Sequence, residues 1–367
     1  MKTIGLISGN YVSEKFGALN EHRTLASLPF GGRYRLVDFV LSNMVNSGIS
    51  KVGIVTPFNS GSLSDHVGIG KSWSFAQKSD GLYLMPGSIF GIHNVGSRFL
   101  FRDIIQNRVF LDRSNDADYV IISGCTDVYN MDYTPFIEAH EKSGNQISLL
   151  YKKVENNPGY KGYYIELDND NNVTKINRDY NATENMFCDC FIINKKFLLD
   201  FITWYEAFEH LDILEIIRNN MEQLKIGAYE FKGYFGKINT INDYMKVSKD
   251  MFDYDIRNEV FHHDRIIYTK VQDEAPALFL EGSDAKNSII ATGCRIEGKV
   301  NDSIIFRSTS IAKNASVNNS VIMMHCEIGE GAVLENVIAD KFVKISAGTK
   351  ISGTPEAPIV LPKGTEM

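Results

Sequence analysis

Two arginines in the stretch Leu28–Phe39 have the clearest potential for ligand chemistry. Arg33 and Arg35 follow two consecutive glycines. A guanidinium can hold a phosphate through two parallel hydrogen bonds, or it can form a structural ion pair, here with the nearby Asp38 or with a carboxylate of the C-terminal part of the chain. The residue types and their spacing leave both interpretations open.

Five cysteines, an odd number, are spread along the chain, and Cys188 and Cys190 form the one close pair. No second pair follows at the spacing of zinc ligands, so we interpret these thiols as small buried side chains of a strand. No signal peptide precedes the strand-like residues Thr3–Ile7. We therefore expect a protein of the reducing cytoplasm.

The elements that must position these groups alternate between strands and helices over the first two thirds of the chain. The predicted strands are Ile4–Ser8, Lys51–Thr56, Tyr119–Ser123 and Ile147–Tyr151, and the predicted helices are Arg35–Asn46, Thr134–Lys142 and Leu211–Leu224. Such alternation is typical of a mostly parallel sheet covered by helices. Ligands of these sheets bind beyond the carboxyl ends of the strands, which places candidate chemistry in the loops after the first three strands.

From about Asn287 the pattern changes to an aliphatic residue at every sixth position. Ile305, Ile311 and Val317 form one such run, with small or polar residues between them. This period predicts a parallel β-helix of hexapeptide repeats. Because such coils often belong to acyltransferases, His325 is either a general base or an outward-facing turn residue.

Composition excludes several classes of protein. Charged residues make up 23% and hydrophobic residues 44% of the 367 residues, as in ordinary globular proteins. The formal net charge is −7 and no dense basic block occurs, so we expect no nucleic-acid partner. No apolar run approaches the length needed to span a bilayer, so we expect no membrane partner either. The length indicates two domains.

The segment Pro29–Ile49 resembles the hallmark of the glucose-1-phosphate adenylyltransferase (ADP-glucose pyrophosphorylase) family, P-F-G-G-(K/R)-Y-R-(I/L)-(I/V)-D-F-x-L-S-N-x-x-N-S-G-I. Ser123–Tyr133 is similar to the family's S-G-D-H-I-Y-K-M-D-Y, and Asn301–Arg307 is similar to its K-N-S-V-L-F-R. The resemblance runs almost from end to end of the chain.

The resemblance implies an α/β nucleotidyltransferase-like domain, Rossmann-like with a mostly parallel sheet, followed by a left-handed parallel β-helix. We place these at residues 1–255 and 287–367, with a linker at 256–286. In the family, a tetramer makes ADP-glucose for glycogen by attack of a sugar-phosphate oxygen on the α-phosphorus of ATP. Mg²⁺ and basic side chains neutralise the charge of the reacting groups.

This sequence departs from the family's phosphate-binding loop G-G-x-G-x-R-L. The corresponding segment is Ser8–Glu14, in which only Gly9 remains. Backbone N–H groups approach phosphate oxygens closely where no Cβ intervenes. We therefore expect Tyr11 and Val12 to crowd the loop and Glu14 to repel a triphosphate, the alternative being a remodelled loop that still binds ATP.

The family's metal-binding aspartates are also replaced. Alignment on Tyr129–Tyr133 puts Thr126 at the first of them, with Asp127 at the next position. The family's D-V-G-T-I segment reads Lys237–Ile241, so Lys237 takes the second position, where a cation repels Mg²⁺. A shift of one residue would still bring Asp127 to a metal, which leaves it as the residual candidate.

Basic substrate contacts differ as well. Leu25 replaces the family's phosphate-facing lysine, and Arg23, the nearest cation, either points into the site or lies at the surface. The E-K-P segment with the sugar-phosphate lysine is not recognisable. Lys175 and Arg178 are either its substitutes or solvated residues at a strand end.

Two further segments differ from the family in the size or charge of their side chains. G-T-A-D-A-V-x-Q-N becomes Phe99–Asn107, which keeps Gln106 and Asn107 but has bulky residues in place of small ones. The strand S-M-G-I-Y becomes Phe187–Phe191. Together these changes indicate a pocket that is no longer maintained for turnover.

The resemblance also implies sites for phosphate-bearing effectors near the β-helix. Arg33, Arg35 and Lys51 match the family's basic residues after G-G and near N-S-G-I. His66 is either a further effector contact or a packing residue.

From these observations we expect a catalytically silent regulatory subunit of bacterial ADP-glucose pyrophosphorylase, without a metal or cofactor of its own. It would pack against a homologous catalytic subunit, where Mg²⁺ and ATP bind, in a heterotetramer, and would shift that subunit between states. Self-association is expected when the chain is alone. The alternatives are an active enzyme that uses Asp127 for Mg²⁺, an acyltransferase centred on His325, and a structural scaffold.

Overall fold

The computed structural model describes residues 2–9, 14–56, 59–76, 80–88, 99–155, 160–178 and 183–367. Within these residues an α/β domain packs against a C-terminal β-helix, which confirms the predicted fold class. No helix in these ranges is both long enough and apolar enough to cross a lipid bilayer.

Eleven strands and ten helices of the described residues precede the β-helix. The strands are β1 (Thr3–Ser8), β2 (Pro29–Phe30), β3 (Tyr34–Arg35), β4 (Lys51–Thr56), β5 (Gly81–Pro86), β6 (Tyr119–Gly124), β7 (Ile147–Lys153), β8 (Tyr164–Leu167), β9 (Val173–Asn177), β10 (Asn185–Asn194) and β11 (Ile226–Glu230). The helices are α1 (Ala18–Glu21), α2 (Leu36–Asn46), α3 (Gly61–Val67), α4 (Phe101–Gln106), α5 (Arg108–Asp112), α6 (Thr134–Ser143), α7 (Lys195–Tyr205), α8 (Ile213–Asn219), α9 (Ile241–Asp250) and α10 (Tyr254–Val260).

The central sheet has the strand order β11-β7-β10-β6-β1-β4-β5, and the hairpin β8-β9 joins it through β10. β1 pairs in parallel with β4 and β6, whereas β10 runs antiparallel to β6 and β7. Helices cover both faces, so β1, β4 and β6 are buried on both sides and consist mostly of apolar residues.

One predicted helix is shorter than its apolar pattern indicates. Leu211–Leu224 forms α8 only over Ile213–Asn219, followed by a 3-10 turn at Met221–Gln223. The carboxylate of Asp212 caps the first turn by accepting a hydrogen bond from the Leu214 N–H at 2.8 Å. Two consecutive asparagines, which favour turns over helix interiors, follow at the other end.

The C-terminal β-helix consists of three five-stranded parallel sheets that form the sides of a triangular coil. Their strands are β12 (Leu278–Phe279), β13 (Asp284–Lys286), β14 (Ile289–Ile290), β15 (Arg295–Ile296), β16 (Lys299–Asn301), β17 (Ile304–Ile305), β18 (Ser310–Ile311), β19 (Ser316–Asn318), β20 (Val321–Ile322), β21 (Glu327–Ile328), β22 (Val333–Glu335), β23 (Val337–Ala339), β24 (Lys344–Ile345), β25 (Lys350–Ser352) and β26 (Ile359–Leu361). The aliphatic side chains of the six-residue repeat fill its interior.

The first strands of the coil lie within the segment predicted as a linker. Leu278 and Phe279 of β12 already pair with β15, and β13 is also complete before residue 287. Helix α10 runs across the other predicted boundary, at residues 255 and 256. Leu278 and Phe279 are each 51% exposed, so the first coil lacks the buried repeat that identifies the later ones.

The two domains share a hydrophobic core. Phe39 and Ile238 of the first domain pack in one buried cluster with Phe306 and Met323 of the β-helix. Beside this cluster, the Arg23 guanidinium contacts the Asp340 carboxylate at 2.6 Å, with both side chains almost fully buried. The β-helix is therefore built into the α/β domain rather than attached by a free linker.

Candidate functional site

The carboxyl ends of β1, β4 and β6 meet at one edge of the sheet, where the sequence places the candidate chemistry. At the end of β1, the Gly9 N–H donates a hydrogen bond to the Val55 carbonyl at 2.8 Å, and a Cβ on Gly9 would lie 2.7 Å from that oxygen. Gly9 is thus required for close packing on β4. Tyr11 and Val12 lie outside the described residues, and of Glu14 only the backbone, at the start of a 3-10 turn, is described.

Bulky side chains fill the space next to these strand ends. Phe99 is 2% exposed and stacks edge to face on Phe191 at 5.5 Å. The cavity that Phe99 lines together with Ser8 and Val55 measures about 10 Å³. That volume holds about one water molecule. The replacement of small residues in Phe99–Asn107 has therefore closed this part of the edge.

The centre of the site is a buried ammonium group between two carboxylates. Lys237 Nζ lies 2.7 Å from Asp189 Oδ2 and 3.8 Å from Asp127 Oδ2. The three side chains are between 1% and 5% exposed. Such a group is stable only when its charges are paired, so the ion pair is part of the packed structure.

Hydrogen bonds hold the two loops that carry Asp127 and Lys237 of this Asp127–Lys237–Asp189 cluster. Asp127 follows β6, and its Oδ1 accepts a hydrogen bond from the Ile238 N–H at 3.2 Å. The next residue, Val128, exchanges two backbone hydrogen bonds with Gly236, at 2.9 and 2.8 Å. The loops that carry Asp127 and Lys237 are therefore fastened to each other by the backbone as well.

Asp189 reaches the cluster from an irregularity in β10. Its φ is +48°, and the pairing of β10 with β7 shifts register between Phe187 and Phe191. This is the position at which the resembling family has a glycine, whose backbone adopts a positive φ readily. Aspartate also tolerates this conformation, which lets it project a carboxylate into the site.

The residues of the cluster do not fit a magnesium ion. Mg²⁺ needs an octahedron of oxygen ligands at about 2.0–2.1 Å. Here the side chain of Lys237 fills the space between the two carboxylates, and the neighbouring Thr126 is buried and uncharged. Elsewhere in the described residues, the partly exposed His262 and the exposed His263 and Asp264 form a group whose potential ligand atoms lie within 4.8 Å of one another.

The basic residues expected near the nucleotide and the sugar phosphate have other partners. Arg23 pairs with Asp340 in the domain interface, and Leu25 is buried in the shared core. Lys175 lies 3.4 Å from Glu166. Arg178 pairs with the Glu215 carboxylate. Arg178 and Lys175 line an open groove of about 690 Å³ between β9 and the end of α8.

Of the three expected effector residues, two lie together and one does not. Arg33 is exposed. Arg35 occupies the N-cap position of α2, and its guanidinium donates hydrogen bonds to the backbone oxygen and the hydroxyl of Ser62. Lys51 lies at the far end of α2, where its ammonium donates to the Arg113 carbonyl at 3.1 Å and packs on the rings of Tyr83 and Phe110. Burial lowers the pKa of Lys51.

The junction between the domains gathers further cations around Arg35. Arg35 Nε and Arg307 Nε are both buried without a hydrogen-bond partner in the described structure. Burial, together with the charges of Arg35 and Arg23, lowers the pKa of Lys341 to about 7. Buried donors without partners are unfavourable, so this junction favours a bound anion.

The candidate histidines make packing contacts within the fold, and the candidate thiols are buried. His66 Nε2 lies 2.6 Å from Asp38 Oδ1 and the ring packs against Trp73; burial lowers the pKa of His66. His325, at an exposed corner of the coil, stacks on Phe342 with ring centroids 5.1 Å apart. Within the described part of the chain it has no carboxylate partner. Cys188 and Cys190 are buried free thiols.

Sequence reasoning missed Asp189, Arg307 and Lys341. Asp189 is a single charge within an apolar strand, and this was the available signal. The sequence around Arg307 and Lys341 gave no such signal, because their neighbours in space, Arg33 and Arg35, lie hundreds of residues away in the chain.

The nucleotidyl transferase family matches residues 19–253, and the GlmU-like C-terminal hexapeptide family matches residues 275–358. The glycogen biosynthesis protein GlgD of Geobacillus stearothermophilus is 35% identical over 99% of this chain and 97% of its own length.

GlgD of Bacillus subtilis is 33% identical over 98% of this chain and 96% of that protein. The glucose-1-phosphate adenylyltransferase of Pseudothermotoga lettingae is 30% identical over 86% of this chain and 76% of that protein.

Proposed function

The chain belongs to the nucleotidyl transferase family, in the branch that contains the GlgD proteins and the glucose-1-phosphate adenylyltransferases, and from this premise we propose that it is a catalytically silent regulatory subunit of bacterial ADP-glucose pyrophosphorylase. It binds a homologous catalytic subunit and shifts that subunit between less and more active states through contacts that differ between the states.

A single observation supports catalytic silence above all. Lys237 holds a fixed positive charge between Asp127 and Asp189, at the place where an adenylyltransferase needs a metal ion. The alternative, an active enzyme that uses Asp127 for Mg²⁺, is disfavoured because that carboxylate already pairs with Lys237 and accepts from the Ile238 N–H.

The isolated chain is expected to form no ADP-glucose from ATP and glucose 1-phosphate at any Mg²⁺ concentration. Loss of one charge-stabilising group typically costs on the order of 10²–10³ in rate, and several are replaced here. Pyrophosphate release measured with the chain alone, the catalytic homologue alone and the mixture tests this. Turnover by the isolated chain that Asp127→Ala abolishes would contradict catalytic silence.

Measurements on the mixture of this chain with the catalytic homologue also distinguish a regulatory subunit from a structural scaffold. A regulator changes the activity or the effector response of the catalytic homologue. A scaffold leaves both unchanged, and that result would contradict the regulatory part of the proposal.

We place the effector site of this subunit at the junction between its domains. Arg33 and Arg35 lie beside it, and Arg307 and Lys341 add two cations from the β-helix. A phosphate group suits these donors, because guanidinium groups bind it through parallel hydrogen bonds.

Binding of a dianion at this junction is expected to weaken as the pH rises. Lys341, with a pKa of about 7 in the unliganded chain, must gain a proton to pair with the anion. The affinity therefore falls about tenfold per pH unit above about pH 7. Sulfate is a suitable probe because its charge stays constant over this range, and titration calorimetry at about pH 6.5, 7.5 and 8.5 measures the effect.

Two lysines of the same coil provide the comparison. Lys341→Met should remove the pH dependence, whereas Lys344→Met, at an exposed position paired with Glu366, should keep it. An affinity for sulfate that does not change with pH in the unmodified chain would argue against Lys341 as a ligand.

A further inference from the structure

We infer that the cavity beside the edge strand β5 is a binding site for a small aryl carboxylate, held by the ammonium group of Lys51. Lys51 is the first residue of β4, so this site lies away from the carboxyl ends of the strands, where the candidate functional site is found. It is also separate from the junction between the domains, because the whole of α2 lies between Lys51 and Arg35. The inference therefore goes beyond the proposed function.

The cavity lies between β5, the last strand of the central sheet in the described residues, and helix α5. It measures about 260 Å³. Sites for drug-sized ligands measure roughly 300–1,000 Å³, so a smaller molecule of one or two rings suits this one. Apolar and aromatic side chains predominate in its wall, together with two cations and two amides, and none of the described residues that line it is acidic.

The ammonium group of Lys51 is buried in the wall of this cavity. Lys51 is 6% exposed, and its Nζ donates a hydrogen bond to the Arg113 carbonyl at 3.1 Å. Nζ also lies 5.6 Å from the ring centroid of Tyr83 and 5.4 Å from that of Phe110. Among the described residues, no carboxylate forms an ion pair with it. A buried ammonium group is costly unless its charge is compensated.

The carboxylates that act on Lys51 from nearby elements have closer partners. Asp80 and Asp116 contact the ammonium group of Lys2 at 3.1 and 2.7 Å. Asp80 also accepts a hydrogen bond from the Ser50 hydroxyl at 2.7 Å. Burial lowers the pKa of Lys51, although these two carboxylates act in the opposite direction. The positive charge in the wall is thus only partly compensated, and a bound anion would compensate it further.

The surroundings of the ammonium group determine which anion fits. The rings of Tyr83 and Phe110 pack edge to face, 5.6 Å apart, and Val109 at the mouth of the cavity is 55% exposed. These surfaces favour a planar apolar body. A carboxylate carries one negative charge at neutral pH and matches one buried ammonium group, whereas a phosphate dianion needs more charged donors. Arg113, the other cation of the described lining, is exposed.

Equilibrium dialysis of the full chain with 2-naphthoate tests the inference, and 2-naphthalenemethanol is the uncharged counterpart. We expect a dissociation constant of about 1 mM or lower for naphthoate, and binding at least about tenfold weaker for the alcohol. Lys51→Met keeps the length of the side chain but removes its charge, so it should weaken naphthoate binding at least about tenfold. Two controls should bind naphthoate as the unmodified chain does: Lys175→Met, at an exposed lysine, and Lys341→Met, at the junction between the domains.

A second variant does not require a change in the buried wall. Val109→Trp blocks the mouth of the cavity from an exposed position on α5, so it should weaken naphthoate binding at least about tenfold while the circular dichroism spectrum stays unchanged. If Lys51→Met does not fold, Val109→Trp decides the question.

Three results would overturn the inference: equal binding of naphthoate and the alcohol, undiminished binding in a folded Lys51→Met or Val109→Trp protein, or loss of binding in Lys341→Met. None of these measurements involves the catalytic homologue, so failure of the proposed function would be recognised separately.

Discussion

Replacing Arg23 with methionine is expected to lower the free energy of unfolding by about 3–5 kcal/mol. Arg23 and Asp340 form a buried ion pair with oxygens at 2.6 and 2.7 Å from the same guanidinium nitrogen. Removal of the arginine leaves a carboxylate without its partner in an interface that excludes water. Because this pair joins the two domains, the loss should be accompanied by separate unfolding of the α/β domain and the β-helix.

Urea unfolding measured by fluorescence and circular dichroism checks this result. Arg295→Met is the control, since Arg295 pairs with Glu297 at 2.9 Å on an exposed side of the coil and should contribute less than about 1 kcal/mol. The double variant Arg23→Met with Asp340→Leu should recover part of the loss, because both charges are then absent. Equal, small losses for Arg23→Met and Arg295→Met would show that the buried pair does not join the domains.

Much of the fold could be predicted because its signals are local and repeated. β4 runs over Lys51–Thr56 as predicted, since every residue of this strand is buried between two helical layers. The later coils of the β-helix were also predicted, because each turn buries an aliphatic side chain at the same place.

The first coil was missed because its environment differs from that of later coils. Leu278 and Phe279 pair with β15 on one side only, and among the described residues no further coil covers their other side. Burial does not select aliphatic residues at every sixth position there, so the segment has the composition of a linker.

The sequence analysis placed Lys51 in one effector site with Arg33 and Arg35 because the three residues lie close together in the sequence. The structure places the 11 residues of α2 between them. At about 1.5 Å per residue this separates the two ends of the helix by about 16 Å. Lys51 instead contributes to a cavity of about 260 Å³ with Tyr83 and Phe110. Residues that are close in the sequence are therefore far apart in space when a helix lies between them, as α2 does here.

The candidate site was predictable in part. Lys237 was recognised as a cation where the family has a metal-binding carboxylate, because that comparison needs only an alignment. Its pairing with Asp189, 48 residues away in the chain, required the bulge in β10 that turns this carboxylate inward. Pairing between distant segments depends on strand register, which the local pattern of residues does not determine.

Lys237→Met is expected to reduce the free energy of unfolding by about 3–5 kcal/mol in metal-free buffer with a chelator present. The substitution keeps a side chain of similar length but removes the charge that compensates Asp127 and Asp189, at a position that is 1% exposed. Two neighbouring buried carboxylates must then repel each other or take up a proton, and either process favours the unfolded chain.

The matched control is Lys175→Met. Lys175 pairs with Glu166 at 3.4 Å while its side chain is 61% exposed, so its loss should lower the free energy of unfolding by less than about 1 kcal/mol.

A second variant tests the charge cluster directly. Adding Asp189→Asn to Lys237→Met removes one of the repelling charges and should restore part of the stability. The same change in the unmodified chain should be destabilising, because it weakens the partner of Lys237. This opposite sign in the two backgrounds is specific to a charge cluster. If Asp189→Asn lowered the stability equally in both, Lys237 and Asp189 would be packed near each other without electrostatic coupling, and the assignment of Lys237 as an internal cation would fail.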